Sequence, residues 1–370
     1  LPIFNQFARA AAPEGDRLMA QARYHIAMSA YHQGHEEESI RSFSTFLQEH
    51  PTDSLWPQAQ RLIITARYQI AEKAYNKKLY TKARAHYEDF FKQYPLDSRA
   101  AMVMWQLAQI EVAQKHWQPA IDAYTRLHSK YPYDHYGYRA GFEIGKLYET
   151  QLKDYEKAIK AYEKVQGWPF RNQAQASIQR LKRKELTLHT PRIFNTHEEG
   201  HLFAEVRNLK KLSVKMYKVD AETYFRKMHR FGGMDALDIE LIRPDKEWEI
   251  TLKGRRYEQV KQKIALPEKA PMIALLHVSG GGLQATSIAI RSDLQILSKM
   301  NRETVFVFAI DQRQRKPLAG VQLLISNGSK ILYEAKTGPD GSYRLRDRKL
   351  RKHSDLHVLA LHQGSVAASH

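Results

Sequence analysis

Two spacings divide the chain. From about residue 16 to 186, apolar residues recur every three or four positions, the period of helices that bury one stripe. From about 190 onward they alternate with polar residues in short runs bounded by turn formers, the period of strands. HLFAEVRN, KLSVKMYKVD, EWEITL and MIALLHVSGGG belong to a first series; ETVFVFAID, GVQLLISN, KILYEAK and DLHVLALH belong to a second. Pro339-Asp340-Gly341 separates KILYEAK from SYRLR. Pro presets φ there, Asp bonds its own backbone and Gly accepts positive φ, so this stretch predicts a β-hairpin. The expected organisation is multidomain, α then β. A helical domain covers 1–188, a β-sandwich 189–291 and a second β-sandwich 292–370.

Within the helical half, four segments align on a pattern of small residues, aromatics and proline. The first has Ala27, Ser39, Phe43, Phe46 and Pro51; the second has Ala71, Ala83, Tyr87, Phe90 and Pro95. The third has Ala108, Ala120, Tyr124, Leu127 and Pro132. The fourth has Gly145, Ala158, Tyr162 and Val165, with one extra residue between its helices. This resembles the tetratricopeptide repeat, two antiparallel helices with small residues at their crossing, and it implies an α-helical superhelix. The steps between prolines, 44 and 37 residues, exceed the usual ~34, so a helix or a connection must be longer. EHPTDS and QYPLDS predict Pro after one helix and Asp or Ser as cap of the next.

Repeat arrays of this kind bind rather than catalyse. Tyr24, Tyr68, Trp105 and Phe142 each precede the first small residue by three positions, and Tyr31 and Tyr75 follow it by one turn. These six are candidate contacts of a peptide-binding groove. The competing expectation is ordinary packing between helices, the commoner fate of an aromatic stripe.

The β half contains stretches that resemble macroglobulin-type domains of bacterial alpha-2-macroglobulin-like proteins. These are VRNLKKLSVKMYKVDAETYFRK (206–227), LPEKAPMIALLHVSGGGLQATSIAIRSDL (266–294) and VFVFAIDQRQRKPLAGVQLLISNGSKILYEAKTGPDGSYRL (305–345). The last pattern also occurs in other Ig-like and transthyretin-like modules. The resemblance implies the N-terminal, non-catalytic region of an exported protease-trapping protein, periplasmic or extracellular. Proteases would be the targets of the full-length molecule, and the repeats would serve as a docking surface for other proteins. Two alternatives stay open: a scaffold or adhesin of the bacterial envelope, and the accessory region of an enzyme whose active site lies downstream. At 79 residues the last segment is short of the ~100 typical of an Ig-like sandwich, so continuation beyond His370 is expected.

Composition narrows the chemistry. The chain of 370 residues has no Cys, which excludes disulfides, thiolate nucleophiles and the Cys of a thioester within it. No run reaches the ~18 to 20 apolar residues of a membrane span. Net charge is +18, but the excess is spread along the whole chain, which argues against a specific nucleic-acid partner. The densest basic run, RDRKLRKH at 346–353, reads as a solvated loop. SGGGLQ (279–284) lacks phosphate-loop spacing and reads as a hairpin turn. THEEGH (196–201) lacks the spacing of a helical zinc motif and reads as a polar loop. No catalytic residue, metal ligand or cofactor site is expected.

Overall fold

The structure, a computed structural model, describes residues 12–369 except 235, 236, 238, 240, 241 and 354, with side chains from residue 15. The chain forms two compact units, one ending at Arg180 and the other running from Leu181 to the end.

The first unit is built from helices α1 (Ala12–His32), α2 (Glu36–Glu49), α3 (Trp56–Asn76), α4 (Tyr80–Gln93) and α5 (Ala100–Ala113). They are followed by α6 (Trp117–Lys130), α7 (His135–Thr150), α8 (Tyr155–Glu163) and α9 (Phe170–Lys182). Consecutive pairs make four hairpins. The residues at each crossing are small and fully buried: Ala27 with Ser39, Ala71 with Ala83, Ala108 with Ala120. At Gly145 a Cβ would lie 2.5 Å from the Tyr162 ring, so the fourth hairpin closes more tightly than alanine allows. Beneath each crossing lie the second-helix aromatics Phe43, Tyr87, Tyr124 and Tyr162, each buried and each contributing roughly 1.5–3 kcal/mol of burial. The turns inside the hairpins use one residue at positive φ: Gly34, Lys78, Lys115 and Lys153. A left-handed residue of this kind ends a helix by satisfying its last carbonyls.

The uneven period has one source. Helix α3 has 21 residues and α5 has 14, and this difference of two turns accounts for the steps of 44 and 37. The extra residue of the fourth hairpin lies in the turn between α7 and α8. The expected caps differ in detail. Asp134 and Asp154 cap α7 and α8 directly, accepting from the amides of Tyr136 and Lys157. Asp53 and Asp97 instead accept from Leu55 and Arg99 ahead of α3 and α5, which start without a side-chain cap. In those two turns the carboxylate closes a local loop before the helix begins.

The second unit is antiparallel β. Its strands are β1 (Glu185–His189), β2 (His201–Arg207), β3 (Lys211–Lys218), β4 (Lys246–Thr251), β5 (Gln259–Ala265), β6 (Met272–Gly280) and β7 (Leu283–Arg291). Then come β8 (Leu294–Met300), β9 (Thr304–Asp311), β10 (Lys316–Pro317), β11 (Gln322–Ser326), β12 (Ile331–Lys336), β13 (Ser342–Arg346), β14 (His357–His362) and β15 (Ser365–Ser369). A short helix, α10 (Ala221–Met228), follows β3. Sheet β1-β2-β5 faces sheet β4-β3-β6-β7 over a core that includes Leu202, Val206, Val214, Ile264 and Leu276. Sheet β12-β11-β14-β15 faces the sheet of β8, β10 and β13 around β9, over Val305, Val307, Leu323, Ile325 and Val358.

A third apolar layer joins the sandwiches. Ile273 and Leu275 of β6, with Tyr217 of β3, meet Leu324, Leu359 and Val366 of the second sandwich; Tyr224 and Phe225 of α10 fill the side. The inner sheets are therefore covered on both faces, which is why MIALL and QLLI are apolar without alternation. The segment between the sandwiches is held as well. The buried Arg291 guanidinium donates to the carbonyls of Asn195, Thr196 and Glu198, while Ser292 accepts from Val366. Asp293 accepts from the amide and hydroxyl of Thr196.

Two expectations change here. The Gly338–Gly341 turn forms, with the Gly338 amide donating to Ser342, but its flanking strands do not pair with each other. Strand β12 pairs with β11, and β13 pairs with β9 in the opposite sheet. The turn is an arch between sheets, pinned because Thr337 donates to the Leu318 carbonyl and accepts from the Val321 amide. The basic run 346–353 is also more than a loop. Arg348–Lys352 is a 3-10 turn capped by Asp347 and anchored by the buried Leu350.

Candidate functional site

The six sequence-predicted aromatics fall into two groups. Tyr24, Tyr68 and Trp105 are 4, 7 and 6% exposed, each packed on the second helix of its own hairpin. Tyr24 meets Phe43 at 5.5 Å and Phe46 at 5.8 Å between ring centres; Tyr68 meets Phe90 at 5.9 Å; Trp105 meets Tyr124 at 5.1 Å. Tyr31, Tyr75 and Phe142 are half-buried. Tyr31 accepts from Gln69 of the next hairpin, Tyr75 packs on Tyr80 and Tyr87, and Phe142 on Tyr162 and Phe170. Burial, helped by Glu72, pushes the Tyr68 hydroxyl up to about 12, so it stays a neutral donor.

Two arginines cover the buried rings from the following hairpin. Arg99 lies 5.6 Å from the Tyr68 ring centre and 5.5 Å from Phe90, and Arg139 lies 4.3 Å from Trp105. Arg99 is held by Asp97, whose carboxyl it keeps below the usual range through hydrogen bonding. Sequence reading missed both arginines. They occupy different positions relative to Ala108 and Gly145, so no period marks them. A polar cleft of about 360 Å³ lies elsewhere on the stack, lined by Glu37, Ile40, Arg41, Arg67, Ile70, His86 and Asp89.

Among the described residues of the unit, the most exposed large apolar side chains lie on the turns between hairpins. Leu96, Tyr133 and Trp168 are 97, 83 and 81% exposed, one after each of the second, third and fourth hairpins. Leu96 and Tyr133 share a position between Pro and Asp, fixed because the prolines and aspartates shape the turn and leave the middle residue outside. Each of the three follows the second helix of its hairpin, in the turn that leads to the next helix. That signal was present in PLD and PYD and went unread.

The remaining motifs are structural. Gly281 and Gly282, both at positive φ, make the two-residue turn of the β6–β7 hairpin. In the 196–201 loop, hydrogen bonds from Arg192 and then from the Asn195 amide hold the Glu198 carboxyl down to about 2. Among the described residues no group of His, Asp and Glu is placed to hold a metal ion, and no helix is long and apolar enough to cross a membrane.

The first unit is thus a tetratricopeptide-like stack, and the second a pair of fused β-sandwiches. The tetratricopeptide-repeat family profile matches residues 21–53, 102–132 and 139–167. It passes over the hairpin of α3 and α4. No curated protein matches the chain. Among solved structures, the NIE-MG1 segment of native alpha-2-macroglobulin from Escherichia coli is similar at 13% identity and a TM-score of 0.39, over 50% of this chain and 96% of that one. A longer segment of the same protein, MG0-NIE-MG1, gives the same identity and TM-score, and the match spans 64% of its length. A tetratricopeptide repeat protein from Parabacteroides merdae is similar at 13% identity and a TM-score of 0.29, over 44% of this chain and 59% of that one.

Proposed function

We propose that the protein is a non-catalytic scaffold whose helical unit docks other proteins through Leu96, Tyr133 and Trp168. The observation that carries this reading is the regular placement of large apolar side chains in solvent, at a cost to solubility that folding does not require. Tyr31, Tyr75 and Phe142 keep part of their rings accessible and are the further contacts a bound segment would reach. Photo-crosslinking from a photoreactive residue in place of the exposed Ser98, two positions from Leu96, tests it. The expected result is a discrete crosslinked protein, lost when Leu96, Tyr133 and Trp168 are all changed to Ser while the melting temperature stays constant. Crosslinks that persist in the triple variant would overturn it.

The finer reading is that the chain is the N-terminal region of an exported alpha-2-macroglobulin-like protease trap. It draws support from the macroglobulin-like stretches at 206–227, 266–294 and 305–345, which form β3 to α10, β6 to β8, and β9 to β13 of one fused pair of sandwiches. Proteases incubated with the full-length protein should lose activity on large substrates and keep it on small peptides. Equal retention of both activities would reject trapping and leave the docking reading untouched.

A further inference from the structure

The second sandwich has an open concavity of about 1740 Å³ at one end of its outer sheet. Its lining gathers Lys299 from β8, Arg302 from the β8–β9 turn, Arg344 and Arg346 from β13, and Arg351 and Lys352 from the 3-10 turn. Two carboxylates lie among these six cations. Glu303 pairs with Arg351, and Asp355 lies 3.4 Å from His357. Among the described residues no carboxylate pairs with Lys299, Arg302, Arg344, Arg346 or Lys352. Like charges gathered without partners raise the local positive potential, and a bound anion lowers it.

The strand register shows what adjoins this charge. Val305 and Val307 of β9 point into the core, so Phe306 and Phe308 face outward. Phe306 stands between Lys299 and Arg344 on the neighbouring strands, and the Arg344 guanidinium lies 5.7 Å from its ring centre. In the next row Phe308 stands beside Leu297, which is 55% exposed. A strip of apolar surface therefore runs directly into the basic end of the same sheet face.

We infer that this face docks an acidic protein segment, whose carboxylates meet Lys299, Arg302, Arg344 and Arg346 while an apolar side chain rests on Leu297 and Phe308. Guanidinium forks match carboxylates bidentately, and four of the six cations are arginines. Glu303 and Asp355, lying among the cations, repel a continuous phosphate chain, whereas a polypeptide can place a lysine or an amide opposite them. A second copy of this chain is disfavoured because each carries +18. The inference goes beyond the docking site of the helical unit and stands apart from it, since the two sites share no residue.

Fluorescence anisotropy on the intact chain tests it with three labelled probes of equal length: a Glu-Glu-Leu-Glu repeat peptide, an all-Glu peptide and oligo(dT). Arg344→Glu with Arg346→Glu should weaken the Glu-Leu peptide by about tenfold or more, as loss of charge-assisted bonds does. Leu297→Asn should weaken that peptide about threefold and leave the all-Glu peptide unchanged, as loss of a partly buried apolar contact does. Lys261→Glu with Lys263→Glu, on the outer face of the first sandwich, makes the same change in net charge and should have little effect. An equal loss in that control, no loss in the Arg344 and Arg346 variant, or tighter binding of oligo(dT) would each overturn the inference. If the reversed variant misfolds by circular dichroism, Arg344→Gln with Arg346→Gln makes the same test.

Discussion

In the helical unit every buried ring belongs to one hairpin or its immediate neighbour: Tyr24 with Phe43 and Phe46, Tyr68 with Tyr87 and Phe90, Trp105 with Tyr124 and Tyr136. In the β unit, Leu275 and Leu359 come from different sandwiches and share one apolar layer. The first arrangement is a sum of short-range contacts, so its stability is expected to be local and its ends to open first. The second couples segments some eighty positions apart, so loss of one sandwich uncovers a face of the other. Two units of similar size thus differ in how far a local disturbance spreads.

The largest test strikes the shared layer. Leu324 and Leu359 are fully buried, and changing either to Ala should cost about 2–5 kcal/mol. Hydrogen exchange should then rise in β2 and β5, at the far side of the first sandwich, together with β11. Unchanged protection in β2 and β5 would break the comparison. A smaller effect is expected from Ala108→Leu, which overfills the crossing of α5 and α6 at a cost of roughly 1–3 kcal/mol. Exchange should rise in α5 to α8 and stay constant in α1 and α2; a uniform rise along the array would count against local stability.

Smaller again is Arg226→Ala. Arg226 of α10 pairs with Glu222 and with Glu334 of β12, but all three are part-exposed, so the loss should stay below about 1 kcal/mol in a urea titration. The smallest effect is a pH dependence. Burial first, and Lys215 second, lower the pKa of His277 on β6 below its ordinary 6.5. The unfolded chain therefore takes up the proton first, and stability is full above pH 6.5 and declines as pH falls below it. His277→Gln should flatten that decline in the β unit and leave the helical transition alone.

Much of the helical unit was legible because its signal is local. Ala71, Ala83 and Tyr87 announce a crossing from spacing alone, and the crossing is where the structure puts it. The long step from Pro51 to Pro95 was visible too, although only the structure assigns it to α3. The strands were legible from alternation, but their partners were not. KILYEAK and SYRLR look like two arms of a hairpin, yet each joins a different sheet, because pairing is decided by β11 and β9 far along the chain. The apolar runs MIALL and QLLI did carry a trace of the middle layer, as strands with no polar face. The basic concavity was half visible: RDRKLRKH stood out, while Lys299 and Arg302 reach it only through the β8–β9 pairing.

Strand β7 ends at Arg291 and β8 begins at Leu294, so only Ser292 and Asp293 lie between the sandwiches, and the side chains of all three residues from Arg291 to Asp293 are tied to surrounding segments. A tether that short and that firmly fastened leaves no swivel. Torque applied to one sandwich, by a tugging ligand for instance, would turn the other with it, so the pair behaves as a stiff lever instead of two beads on a string.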